Sequence, residues 1–325
     1  MNIVIVSDAW HPQVNGVVRT LDTVGKELTG LGHAVTYITP DRFHSMPCPT
    51  YPEIRLAFMP GRKVARLIDA VQPCAIHIAT EGPLGLAARR YCTKRKLPFT
   101  TAVHTRFPEY VQARTGIPVS WTYHIMRWFH AGAARVMVAT ESMRTELTSR
   151  RFRNLVAWTR GVDVTLFRPR PETREMLNLP RPVWLYVGRV AVEKNIGAFL
   201  ALDLPGTKLV VGDGPQLNEL RRKHPEVKFA GAKFGEDLAA HYAAADVFVF
   251  ASRTDTFGLV LLEALAAGLP VAAYPVTGPK DVLGNAPVAV LDEDLGKAAR
   301  AALLLDPAAC RKFAETFGWR TSAEQ

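Results

Sequence analysis

The sequence predicts an α/β protein made of two parallel-sheet domains. Three observations carry that prediction. Apolar, strand-like runs alternate with helical patterns along the whole chain. The alternation occurs twice, on either side of Gly161–Pro182, a stretch with Pro169, Pro171, Pro180 and Pro182 and little apolar periodicity. Each polar motif follows a predicted strand directly, which is where open parallel sheets bind ligands. A chain of 325 residues, 48% hydrophobic and 22% charged, is long enough for two full cores.

In the first half the strand-like runs are Ile3–Val6, Ala34–Ile38, Ala75–Ile78, Phe99–Val103 and Val136–Ala139. In the second they are Val183–Val187, Leu209–Val211, Val227–Ala230, Val247–Phe250 and Val271–Ala273. Runs this apolar suit strands buried on both faces. The opening, Met-Asn-Ile-Val-Ile-Val-Ser-Asp, reads as a strand, not a signal peptide: it has no basic region and turns acidic at Asp8. No apolar run approaches the roughly 20 residues of a membrane span. Cys48, Cys74, Cys92 and Cys310 have no short paired spacing, so neither a zinc site nor a disulfide framework is expected, and the cytosol fits.

Five motifs follow the strands. After the first comes Asp8–Thr20, where Gly16 opens a helix; no G-x-G-x-x-G fingerprint is present there. Thr80–Gly85, with Glu81, follows the third predicted strand, and His104–Tyr110, with Arg106, follows the fourth. His77 lies inside a strand and reads as structural. Val187–Asn195 opens the second half with Arg189 and Lys194, natural counter-charges for a diphosphate. The organising stretch is Ser252–Gly268. A polar turn leads into a helix starting near Gly258, so backbone N–H groups at Thr256–Leu259 lie at a helix N-terminus. Asp255 and Glu263 bracket it with seven residues between them. Taken alone, such a pair would be a capping Asp and an exposed Glu.

Asp-Thr-Phe-Gly-Leu-Val-Leu-Leu-Glu-Ala closely resembles the carboxylate-x7-Glu motif of retaining glycosyltransferases of family 4, the "group 1" enzymes. Gly-Arg-Val-Ala-Val-Glu-Lys-Asn, at 188–195, resembles a second segment of that family. The family usually has Glu at the first acid and Gly-Gly in the first loop, whereas this chain has Asp255 and Asn15-Gly16. The shorter acid also occurs in members that glycosylate lipids. The resemblance covers nearly the whole chain and implies the GT-B architecture, two Rossmann-like domains facing across a cleft. It implies an acceptor domain over 1–168 and a nucleotide-sugar domain over 169–312. A helix over 313–325 would return to the first domain, stopping short of the family pattern. It also assigns roles. Glu263 binds the donor ribose, and Arg189 and Lys194 hold the diphosphate. Asp255 and the amides around Thr256, Phe257, Gly258 and Leu259 hold the sugar and its phosphate. His104 lies near the reacting sugar, and Glu81 and Arg106 border the acceptor pocket. Gly16, a glycine at a helix start after a strand, would bring amides close to a phosphate by its position alone. No metal or other cofactor is expected, because fixed cations and helix amides supply the positive charge.

The net charge of +10 is uneven. Residues 1–168 hold 22 Lys/Arg and 11 Asp/Glu, giving +11; residues 169–325 hold 18 and 19, giving −1. Gly61–Ile68 and Trp121–Arg135 interleave cations with apolar or aromatic residues, which suits an anionic membrane surface. The expectation is a peripheral enzyme on the inner face of the cytoplasmic membrane. It would move a hexose from GDP-mannose, UDP-glucose or UDP-glucuronate to a lipid such as diacylglycerol. Three alternatives stay open: a nucleotide-sugar epimerase of the same architecture, a transferase with a soluble sugar acceptor, and a nucleic-acid binder. The last accounts for the basic half but not for Arg189, Lys194 and Glu263 in the neutral half.

Overall fold

The structure is a computed structural model. It describes residues 1–13, 15–48, 51–173 and 177–325, and their side chains except at 51–53, 110, 113 and 114. Val14 and the Tyr110 side chain, in two of the sequence motifs, and 174–176, in the proline-rich stretch, lie outside the described residues.

The chain divides into two compact units: Met1–Thr159 with Trp319–Gln325, and Arg160–Gly318. The first unit holds strands β1 (Asn2–Val6), β2 (Ala34–Ile38), β5 (Ala75–Ile78), β6 (Thr100–Val103), β7 (Arg135–Val138) and β8 (Leu155–Ala157). They form one sheet in the order β2-β1-β5-β6-β7-β8, with every pairing parallel. An antiparallel hairpin, β3 (Ser45–Cys48) with β4 (Tyr51–Ala57), stands apart from it.

The second unit repeats the plan. Its strands are β9 (Val183–Val187), β10 (Thr207–Val211), β11 (Lys228–Gly231), β12 (Val247–Phe250), β13 (Val271–Ala273) and β14 (Ala289–Leu291), ordered β11-β10-β9-β12-β13-β14, again all parallel. The strands β9, β12 and β13 are apolar throughout, as suits strands buried on both faces. Trp184, Val210, Val247 and Phe199 form one core; Val4, Ile78, Leu84 and Phe129 belong to the other.

In each sheet the chain leaves the first strand in one direction and later returns to its other side. The order therefore reverses between β1 and β5, and between β9 and β12. Such switch points open a crevice beyond the carboxyl ends of the strands. Residues 160–168, placed in the first domain by the sequence reading, pack with the second unit. Phe167 is buried edge-on against Tyr242, and its carbonyl accepts from Arg311 Nη1 at 2.7 Å. The final helix, Trp319–Glu324, packs on the first unit: Trp158 Nε1 donates to Ser322 O at 2.9 Å, and Ser322 Oγ donates to Thr159 O at 2.8 Å.

Candidate active site

In the second unit the site grows from the two strands at the switch point. Past β9 the chain turns through Gly188 and Arg189, and the Arg189 carbonyl accepts from the buried Tyr186 hydroxyl at 2.9 Å. A single 3₁₀ turn, Val192–Lys194, follows. Past β12 comes the polar turn 252–258. The two loops are tied together: Asn195 Nδ2 donates to Ala251 O at 3.1 Å and Thr254 Oγ1 to Glu193 O at 3.0 Å. Lys194 Nζ donates to Asp255 Oδ1, with both side chains only partly exposed.

The helix beyond is Leu259–Ala266, buried along most of its length. Its sequence, Leu-Val-Leu-Leu-Glu-Ala-Leu-Ala, is apolar except for Glu263, as expected for a helix with no solvent face. Gly258 begins it at φ +82°, a left-handed conformation that favours glycine, and as N-cap it offers no side chain to the first amides. Glu263 is 3% exposed and accepts from the Tyr242 hydroxyl at 2.9 Å. It is therefore not the solvated helix acid that the pair alone would suggest. A carboxylate is retained in an apolar helix only where something satisfies it.

In the first unit the loops after β1, β5 and β6 lie side by side. Asp8, 5% exposed, closes the switch point. Its Oδ1 accepts from Leu84 N at 2.8 Å; its Oδ2 accepts from Gly85 N at 3.2 Å and Thr80 Oγ1 at 2.9 Å. The carboxyl group sits so close to Gly82 that a Cβ there would lie 2.4 Å from Asp8 Cγ. Burial pushes the Asp8 carboxyl up to about 6, against the hydrogen bonds from Leu84, Thr80 and Gly85, and the nearby Glu81 charge adds to the rise. Glu81 is held by His130, which is 2% exposed: Nε2 lies 3.2 Å from Glu81 Oε1, and Nδ1 lies 2.8 Å from Thr101 Oγ1. His104, half-buried, stands edge-on to Trp158 at 5.9 Å, and His77 lies on the same indole at 5.7 Å. Arg106 pairs with Glu146 at 2.9 Å. Among the described residues no three His, Cys, Asp or Glu side chains gather as a metal set.

The Glycosyltransferase Family 4 model matches residues 14–166, and the Glycosyl transferases group 1 model matches residues 181–306. The alpha-monoglucosyldiacylglycerol synthase of Streptococcus pneumoniae is 30% identical over 314 residues, covering 84% of this chain and 71% of that protein. The chain belongs to glycosyltransferase family 4. The GDP-mannose-dependent alpha-mannosyltransferase of Mycobacterium tuberculosis is 29% identical over 87% of this chain and 81% of its own length. Among solved structures, sucrose-phosphate synthase from Thermosynechococcus elongatus superposes with TM-score 0.76 at 22% identity, over 100% of this chain and 96% of that one. Anabaena HepE in complex with UDP and glucose gives 0.76 at 16%, over 99% and 97%. These two share the fold, GT-B.

In this family 4 glycosyltransferase the structure brings some of the sequence-predicted residues together and separates others. Lys194 and Asp255 form one ion pair, and Thr256, Phe257, Gly258 and Leu259 form the turn and first helical residue beyond it. Glu81 and Arg106 are instead held by separate partners, His130 and Glu146. Gly16 does begin a helix, Gly16–Gly30, but Asn15 Oδ1 already accepts from Val17 N and Val18 N, both at 3.0 Å. In Gly61–Ile68 the apolar residues Val64 and Ile68 are buried. Sequence reading missed Asp8, His130 and Tyr242. Asp8 had one signal, an acid just past an apolar strand; His130 and Tyr242 had none, since their partners are 49 and 21 residues away.

Proposed function

We propose that the protein is a retaining hexosyltransferase that takes its sugar from a nucleotide-sugar donor and passes it to a membrane lipid such as diacylglycerol, without a metal. The observation carrying the reading is the arrangement in the second unit: a helix N-terminus opened by a glycine, beside Lys194 and Asp255, with a buried carboxylate, Glu263, one turn inside. The amides and Lys194 would meet the diphosphate, with Arg189 adding charge as the glycosidic bond breaks. Binding of the diphosphate would draw Lys194 from Asp255 and release that carboxylate to the sugar hydroxyls. Glu263, oriented by Tyr242, would take the ribose.

In the first unit His104, set against Trp158, would face the reacting sugar, and Glu81 would receive the acceptor hydroxyl. Attack from the side of the leaving group, with the departing phosphate taking the hydroxyl proton, retains the anomeric configuration and needs no protein nucleophile. The name of one relative, an alpha-monoglucosyldiacylglycerol synthase, supports a lipid acceptor, and that of another, a GDP-mannose-dependent alpha-mannosyltransferase, supports GDP-mannose as one of the candidate donors.

Calorimetric titration with GDP and UDP, in chelator, tests the donor site. One nucleotide should bind with micromolar affinity, and Glu263→Ala should abolish it. Product analysis with diacylglycerol and each nucleotide sugar then tests transfer. His104→Ala should lose transfer and keep nucleotide binding. A product formed with no acceptor would instead indicate an epimerase.

A further inference from the structure

Helices Pro83–Arg95 and Val119–His130 are joined by Arg89. Its Nε donates to Phe129 O at 2.8 Å, its Nη2 to Trp128 O at 2.9 Å, and its guanidinium lies 4.0 Å over the Trp128 ring. A groove of about 500 Å³ is lined by Leu86, Arg89, Arg90, Thr93, Lys94 and Trp128.

Beside it, Trp121, Ile125 and Trp128 are 71%, 63% and 50% exposed. Their spacing places all three on one helix face. The opposite face, with Tyr123, Met126 and Phe129, is buried in the core. Neither helix contains an Asp or Glu, while together they carry Arg89, Arg90, Lys94, Arg95 and Arg127.

Two tryptophans and an isoleucine grouped in water are costly for a monomer. Indole rings beside cations on aliphatic stems are the chemistry of the lipid headgroup layer. All three charged residues of the lining, Arg89, Arg90 and Lys94, are cations, which selects an anionic occupant. We propose that this groove seats the phosphate of an anionic bilayer phospholipid while Trp121, Ile125 and Trp128 enter the interface.

The other basic segment, helix Gly61–Val71, turns its apolar residues Val64 and Ile68 inward and offers the bilayer charge alone. The docking helix ends at His130, the residue that holds Glu81, so the face that meets lipid and the residue assigned to the acceptor share one rigid element. This gives the lipid-acceptor reading its partner surface and rests on that reading for its purpose.

The test uses the full chain with phosphatidylglycerol or phosphatidylcholine vesicles containing neither donor nor acceptor, followed by co-sedimentation and tryptophan emission. The protein should bind the anionic vesicles with a blue shift and leave the neutral ones. Trp121→Ser with Trp128→Ser should weaken partitioning by on the order of tenfold, and Arg90→Gln with Lys94→Gln by about fivefold per cation. Nucleotide binding should be unchanged in both, which shows that they fold. Equal binding to the two lipids, or unchanged partitioning in both variants, overturns the proposal. So does a dimer that the tryptophan variant dissociates without altering vesicle binding. Failure of the lipid-acceptor reading has a different signature: anionic vesicles bound, with no transfer to diacylglycerol.

Discussion

The two units each hold one parallel sheet whose strand order reverses once, and they differ in what occupies the helix N-termini at that reversal. At the β1/β5 switch point the helix Pro83–Arg95 carries its own anion, since Asp8 accepts from Leu84 N and Gly85 N. At the β9/β12 switch point the helix Leu259–Ala266 begins at Gly258, which has no side chain to cap it, and the acid of the preceding turn, Asp255, is paired with Lys194. A helix N-terminus attracts an anion through its free amides and its dipole. An internal carboxylate spends both and repels a second anion. On this ground the first unit's helix disfavours a phosphate at this point, and the proposed site is the second unit's. The difference supports, from local chemistry alone, the proposal that the diphosphate binds in the second unit although the first carries the excess positive charge.

The largest effect should come from the second unit's helix end. Removing one cation that stabilises a departing diphosphate costs on the order of 10²–10³ in rate, so Lys194→Ala should lower kcat/KM to that extent. Steady-state kinetics with the donor identified by titration measure it; an unchanged kcat/KM would break the comparison. The first unit's end should respond to pH instead. Asp8 is held near 6 by burial, above its ordinary value of 3.8, so the folded state binds its proton more tightly than the unfolded one. That contribution is complete below about pH 4 and is lost as pH rises through about 6, worth at most about 3 kcal/mol. Denaturation midpoints of wild type should fall across that window relative to Asp8→Asn, whose profile should be flatter. Nucleotide affinity should be the same in both.

The parts of this comparison that were legible in sequence are those carried by short, strong patterns. Ala34–Ile38, Ala75–Ile78, Val183–Val187, Val247–Phe250 and Val271–Ala273 are strands with the boundaries of their apolar runs. Strands β8 and β14 escaped because three residues in a sheet's outermost position give no periodic signal. The β3–β4 hairpin escaped because Pro47 argues against a strand, and only an edge pairing tolerates it. At the candidate site, Lys194 and Asp255, 61 positions apart, each lie in a short motif that the sequence shows. Asp8 was missed, because its meaning depends on amides 76 and 77 residues away. Charge counting by halves was blind to it too: one buried carboxylate decides the sign of a site inside a domain that is basic as a whole.

Two smaller effects sharpen the contrast. Tyr242→Phe removes the hydroxyl that donates to Glu263 and leaves a buried carboxylate oxygen short of a partner, which should cost about 1–3 kcal/mol of stability. If Glu263 holds the ribose, nucleotide affinity should fall with it; a stability loss with unchanged affinity would make Glu263 a structural acid.

The smallest effect belongs to Asn15. Its side chain caps two amides of Gly16–Gly30, so Asn15→Ala should cost about 1 kcal/mol, read from the denaturation midpoint. It should leave GDP and UDP affinity untouched, because those amides are satisfied within the first unit. Freed amides that raised affinity for either nucleotide would mean that the first unit competes for the phosphate and that its Asn cap is what prevents it. The asymmetry between the units would then be one of capping at two helices, not of one buried aspartate.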